Sequence, residues 1–216
     1  MTHRTRLPSS ASIALPDTGA RLTAPSAQRN APAIAAVLAQ HGPQSGRALE
    51  IASGTGQHVV AFAAALPGLT WQPTEIDATR RTSIDAWAEA HNILPAIPLD
   101  ATAPEWGVRH AGQDLIVLVN LLHLISDAEA QILLREVAAA LAPGALFAVY
   151  GPFLQGGCTV SQADADFDAS LRANDPEIGY KDVDDVLHWM DYAGLCPEPP
   201  IDMPSNNLML LARQAL

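Results

Sequence analysis

Apolar positions along this chain alternate between short continuous runs and helically spaced faces. RALEIAS (47–53) is a compact apolar run and reads as a buried strand. GQHVVAFAAALPG follows as a helix closed by Pro67-Gly68. LTWQPTEID reads as a second strand, although Pro73 sits poorly inside one. Residues 79–91 are helical, with Ile84 and Trp87 on one side, and LPAIPLD reads as a short third strand. QDLIVLVN has the unbroken apolar character of a central parallel strand. Ser126 and Glu129 form an S-x-x-E capping box, and Ala130, Leu134, Val137 and Leu141 continue that helix to Pro143-Gly144. ALFAVYGPF reads as a fifth strand. A capped helix over 161–173 presents Phe167 and Leu171 together. Asp182 caps another, with Val183, Val186, Leu187 and Met190 apolar and Gly194 past its end. LCPEPPID and NNLMLLARQ close the chain as strands. Upstream of all this, Ile34, Val37 and Leu38 make one helical face that ends at Gly42-Pro43, and Pro32 puts Arg29 and Asn30 at its entry.

Strand–helix alternation predicts an α/β domain with a mostly parallel sheet and helices on both faces. Two successive strands at the end predict an antiparallel hairpin at one edge. Residues 1–22 read as a flexible tail and 23–216 as a single domain.

The chain has 216 residues, 49% hydrophobic and 16% charged, which fits a globular fold. Its net charge of −11, without a basic stripe, argues against nucleic acid and anionic membranes as partners. Cys158 and Cys196 stand far apart, and the seven histidines show no metal-ligand spacing, so no metal site is expected. No apolar run is long enough to span a bilayer, and the first residues lack the apolar core of a secretory signal. A cytoplasmic location is the default expectation, and the oligomeric state is not legible.

The segment richest in chemistry is Leu49-Glu50-Ile51-Ala52-Ser53-Gly54-Thr55-Gly56-Gln57, between a buried strand and a helix. Open α/β sheets bind ligands at the carboxyl ends of such strands. Gly54 and Gly56 permit positive φ and close approach of a ligand to the backbone. A nicotinamide fingerprint needs a third glycine where this chain has Val59. A carboxylate at Glu50 would repel a pyrophosphate yet suits the amino group of a methionine tail.

LEIASGTG resembles motif I of class I S-adenosylmethionine (SAM)-dependent methyltransferases, with Ala52 in place of the first glycine. APSAQRN, LEIASGTGQH, LTWQPTEID, LDAT, GPF and MPSNNLML together resemble the methyltransferase-like 26 family, from about Thr23 onward. The resemblance implies a Rossmann-like class I methyltransferase fold with a seven-stranded sheet, SAM as cofactor and S-adenosylhomocysteine as product.

It further implies a set of cofactor contacts. Glu50, Ala52, Ser53, Gly54 and Gln57 belong to the loop. Glu75, with Asp77 as alternate, would accept both ribose hydroxyls. Asp100, next to Ala101, would accept from the adenine amino group. Asn120 and Leu121 would pass behind the methionine end, and Arg29 and Asn30 would cover it, Arg29 facing the methionine carboxylate. His123 is the candidate catalytic base, because histidine titrates near neutrality. Trp106 and Phe153 are candidate substrate walls, and Asn206 and Asn207 could face the pocket. The implied reaction is in-line methyl transfer to a small molecule, with a protein side chain as the secondary acceptor class. The competing reading is a SAM-binding interaction or sensing protein without transferase activity.

Overall fold

The computed structural model describes residues 13–215. Of the tail expected over 1–22, residues 1–12 lie outside the described residues. Among the described residues, the chain runs β1 (Leu15–Pro16), β2 (Leu22–Thr23), α1 (Pro25–His41), β3 (Gly46–Ile51), α2 (Gln57–Ala65), β4 (Leu69–Pro73), α3 (Ala78–Trp87) and α4 (Trp106–Arg109). It continues through β5 (Gln113–Val119), a 3-10 turn at Leu122–Leu124, α5 (Asp127–Ala140), β6 (Leu141–Pro152), α6 (Gln162–Asn174) and α7 (Val183–Tyr192). Strands β7 (Leu195–Pro197), β8 (Ile201–Met203) and β9 (Asn207–Gln214) complete it.

Seven strands form one sheet in the order β4-β3-β5-β6-β9-β7, with β8 also paired to β9. Strands β4, β3, β5 and β6 are mutually parallel, and β9 is antiparallel to β6, β7 and β8. Six strands therefore point one way and β9 alone opposes them. This is the mostly parallel, seven-stranded Rossmann-like sheet with its C-terminal antiparallel hairpin.

Side-chain alternation builds a core on each face. From β5, Leu115 and Val117 join Ile34, Leu38, Val59, Phe62 and Ile84 of α1, α2 and α3. Ile116 and Leu118 point the other way, toward Trp106, Leu133, Leu134, Val186 and Met190 of α4, α5 and α7. Strand β6 divides likewise, with Phe147 and Val149 on one face and Leu146, Ala148 and Tyr150 on the other. Both faces are covered, so central strands read as continuous apolar runs.

The helix caps act as expected. Ser126 and Glu129 form a reciprocal capping box on α5, while Ser161 and Asp182 cap α6 and α7. Three elements differ from expectation. The third strand over LPAIPLD shrinks to isolated bridges, Trp71 with Ile93 and Thr74 with Ile97, because Pro95 and Pro98 have no amide to donate to a ladder. LCPEPPID is cut into β7 and β8 at Pro199-Pro200 for the same reason. Helix α1 begins at Pro25 rather than near Arg29: proline suits the first helical position, and buried Ala27 and Ala31 continue the stripe of Ile34, Ala35 and Leu38. Pro32 lies within the helix on its exposed side.

Strands β1 and β2 pair with each other and are stapled to α3. Arg21 lies 4.5 Å over the Trp87 ring and donates from Nε to the Ala86 carbonyl at 2.9 Å. Trp87 Nε1 donates to the Leu22 carbonyl at 2.9 Å, and the Leu22 amide donates to Ser83 Oγ at 2.8 Å.

Candidate functional site

Sheet order reverses between β3 and β5, and their carboxyl ends open into a cavity of about 140 Å³. The loop after β3 makes its floor. Ala52, Gly54 and Gly56 all have positive φ, at 53°, 59° and 94°. The two glycines serve different purposes. A Cβ on Gly56 would stand 2.7 Å from the Ile84 Cα, so its bareness lets α2 and α3 approach. A Cβ on Gly54 would meet nothing closer than 3.9 Å, so its bareness keeps the cavity open. Ala52 takes the left-handed conformation at a steric cost that glycine avoids.

Glu75 follows β4 by two residues and lines the same cavity. Its Oε2 accepts from the Gly54 amide at 3.0 Å and its Oε1 from the Asp77 amide at 3.2 Å. Burial raises its pKa against these amide bonds and the nearby Arg80. A carboxylate has about four acceptor positions, so two further donors fit. Asp77 is not on the wall: its side chain caps α3, accepting from the Arg80 amide at 2.9 Å.

Glu50 lies beneath the loop, 1% exposed, with Oε2 buried and without a hydrogen-bond partner. Burial pushes its pKa up to about 8, opposed by a hydrogen bond from Ser53 and assisted by the nearby Glu75 carboxylate. Asp100 and Ala101 lie on the wall. Asp100 Oδ1 accepts from Thr102 N and Oγ1 at 2.9 and 2.7 Å, in a local turn. Asn120 and Leu121, after β5, complete the wall, Asn120 at φ 56° with its amide donating to the Tyr150 carbonyl.

The first two residues of α2 divide the work unlike the expectation. Gln57 turns from the cavity, its Oε1 accepting from the Ala24 amide at 2.6 Å and from Thr55 Oγ1 at 3.0 Å. His58 lines the cavity, together with Ser26 and Ala27 of α1. Burial lowers the His58 pKa to about 4. Its Nε2 lies 2.7 Å from Asn30 Oδ1.

A second cavity, of about 290 Å³, adjoins the first, and Ser26 and Asn120 belong to both. Arg29, Asn30 and His123 line this one instead of the first. Tyr150 joins them, hydrogen-bonded to Asn30, so Asn30 links His58 in one cavity to Tyr150 in the other. His123 is 5% exposed. Burial drives its pKa down to about 3, helped by the Lys181 charge and opposed by Asp168. Lys181 is itself buried, with its ammonium held by the Ile125 and Gly179 carbonyls and by Asp127.

Asp164, Phe167 and Tyr180 also line the second cavity, and sequence reasoning missed them as site residues. Phe167 had the signature of an ordinary apolar helix face, and only tertiary folding brings it to His123 and Tyr180. The three rings meet edge-on in pairs, with centroids 5.9 to 6.2 Å apart. Asn207 lines the cavity, whereas Asn206 donates to Asp164 Oδ2 at 3.0 Å. Trp106 and Phe153 line neither cavity. Both are buried in the core beneath the sheet, and Trp106 Nε1 donates to the Ala101 carbonyl. Large apolar rings at strand and helix ends gained more from burial there than from facing a polar cleft.

The family model described as "Protein of unknown function (DUF938)" matches residues 21–214. The chain belongs to this family. The DUF938 chain is also similar in structure to several methyltransferases. One is an O-methyltransferase family protein from Burkholderia thailandensis: TM-score 0.72, 16% identity, 86% of this chain and 56% of that one covered. Another is human N-acetylserotonin methyltransferase in complex with SAM, at TM-score 0.73, 14% identity, and 86% and 52% coverage. A third is the O-methyltransferase family 2 protein from Planctomyces limnophilus in complex with apigenin, at TM-score 0.75, 18% identity, and 88% and 58% coverage. These likenesses establish the fold, and this chain spans a little over half the length of the proteins it matches. No helix among the described residues is long and apolar enough to cross a membrane.

Proposed function

We propose that this DUF938 protein is a SAM-dependent methyltransferase of the methyltransferase-like 26 kind, acting on a small-molecule acceptor. The observation that carries the reading is the pair of adjoining cavities at the switch point, joined through Ser26 and Asn120. The first has a cofactor's wall chemistry, and the second gives an acceptor a place beside it. A binding or sensing module has no need of the second.

The residues fit SAM on two counts. The open space at Gly54 is where a cofactor would meet bare backbone. The orphan Oε2 of Glu50 is a buried acceptor suited to a cationic donor. Glu75 would hold the ribose hydroxyls and Asp100, with Ala101, the adenine edge. Ser53, Gly54 and Glu50 would hold the methionine end, with Asn120 and Leu121 behind it and Arg29 reaching its carboxylate from the adjoining cavity. Two named cofactor contacts take other roles: Asp77 caps α3 and Gln57 anchors the chain at Ala24. When bound, the cofactor supplies an electrophilic sulfonium methyl group. The protein's part is to align the acceptor on that methyl and exclude water. His123, held neutral by burial, serves as a hydrogen-bonding wall for the acceptor rather than a store for its proton.

Calorimetric titration with SAM, S-adenosylhomocysteine and NAD tests the reading. SAM and S-adenosylhomocysteine should both bind, and NAD should not. Binding of NAD with no response to the other two would overturn it.

A further inference from the structure

We infer that the second cavity receives a small organic amine, whose ammonium form is held at Asp164 among the rings of Phe167, Tyr180 and His123. This rests on the methyltransferase reading and names the acceptor class for that same site.

Two charged side chains line this cavity, Arg29 and Asp164, and the charges just behind its wall are paired among themselves. Asp168 is paired with Arg172 at 2.8 Å, and the Lys181 ammonium with Asp127 at 3.2 Å. Arg29, the cation in the lining, sits beside Tyr150 and is assigned above to the cofactor carboxylate. Asp164 differs. Its partners among the described residues are neutral: Ser161 Oγ at 2.6 Å and Asn206 Nδ2 at 3.0 Å on Oδ2, and the Tyr180 hydroxyl at 3.5 Å on Oδ1. Oδ1 thus keeps acceptor capacity on the cavity wall. A carboxylate answered only by hydroxyl and amide groups, with aromatic rings alongside, favours a cation over a neutral or anionic guest. His123 adds no competing positive charge at neutral pH. The hydroxyl and amide groups of Asn120, Tyr150 and Asn207 make the remaining wall polar, which suits a compact guest over an extended apolar one.

The reaction balances with the sulfonium donor as co-reactant. The bound ammonium gives one proton to water, and its nitrogen lone pair then forms the new N–C bond. The methyl–sulfur bond breaks with its electrons remaining on sulfur. The products are a methylated ammonium, a neutral thioether and the released proton.

The test uses the full chain saturated with S-adenosylhomocysteine. Affinities are measured for 2-phenylethylamine, 2-phenylethanol and 3-phenylpropanoate, in wild type and in Asp164→Asn. The amine should bind at least about tenfold more tightly than either isostere, roughly the effect of one charge-assisted contact. Asp164→Asn, which keeps an oxygen for Ser161, should remove most of that preference and leave S-adenosylhomocysteine affinity unchanged. Equal or tighter binding of the alcohol or the carboxylate by wild type overturns the inference without any variant. So does an undiminished amine preference in Asp164→Asn. If wild type fails to bind S-adenosylhomocysteine, the proposed function falls as well. If it binds S-adenosylhomocysteine but shows no amine preference, the inference alone falls.

Discussion

The two cavities meet at Ser26 and Asn120 yet are made differently. The first centres on the loops that directly follow β3, β4 and β5, with Ser26, Ala27, His58 and the 99–102 segment around them, and backbone does much of the work: positive φ at Ala52, Gly54 and Asn120, and a Gly54 amide fixed on Glu75. The second gathers side chains from α1, the 3-10 turn, β6, α6, the Tyr180 loop and the β8–β9 turn. A backbone-built site depends on which residues tolerate a conformation. A side-chain-built site depends on what burial does to each group's charge and contacts.

The largest effect should separate the roles of the two loop glycines. Gly56→Ala forces a Cβ against Ile84 at a φ of 94°, and should cost about 3 kcal/mol in urea denaturation. Gly54→Ala has room for its Cβ and should cost only about 1 kcal/mol, from the left-handed strain. Equal losses would mean the loop is not divided between packing and ligand space.

Next, Gly54→Arg should weaken S-adenosylhomocysteine binding by about 100-fold, near 2.7 kcal/mol, because the side chain fills the first cavity. Thermal melting should show the domain still folded. Unchanged affinity would misplace the cofactor site.

Acidification compares the histidine buried at each cavity. His58 and His123 have folded pKa values of about 4 and 3, below the ordinary 6.5. The unfolded chain therefore binds more protons below pH 6.5, and stability falls as pH drops toward those values. Glu50, at about 8 against 4.5, acts oppositely: it stabilises the protonated fold at low pH and loses that contribution as pH rises toward 8. From pH 7 to 4.5 the net loss should be about 2 kcal/mol by urea denaturation. His58→Gln or His123→Gln should each flatten the profile. If only one does, only that cavity buries its imidazole.

The smallest effect concerns the departure at Ala52. Ala52→Gly relieves the left-handed strain but frees the unfolded chain, for a net gain of about 0.5 kcal/mol in the same assay. A loss would show that the Ala52 methyl packs against the loop more than it strains it.

Legibility followed the same division. That the glycine loop, Glu75 and Asn120 would meet at one cavity was legible because each follows a strand whose apolar run is plain in the sequence, and the carboxyl ends of neighbouring strands converge; Asp100 reaches the same wall from a segment left as isolated bridges. Gln57 and His58 were harder, because only the helix entry angle decides which of two adjacent residues faces inward. Asp164, Phe167 and Tyr180 carried no local sign. An acid in a first helical turn, an apolar residue on a helix face and a tyrosine in a loop all have ordinary structural explanations.

By itself, the sequence determined what depends on neighbours along the chain: apolar periods, caps such as Ser126, Ser161 and Asp182, and a Gly-containing turn between strand and helix. Hydrogen-bond capacity and steric freedom act over a few residues, so those features need no knowledge of the rest. Tertiary structure alone decided that Gln57 would turn from the first cavity and His58 would face it. It also decided that Trp106 and Phe153 would enter the core, and that Arg29, His123 and Asp164 would share one cavity. Burial and charge proximity act through space, between segments more than a hundred residues apart in the chain, and only the assembled sheet sets which of them meet.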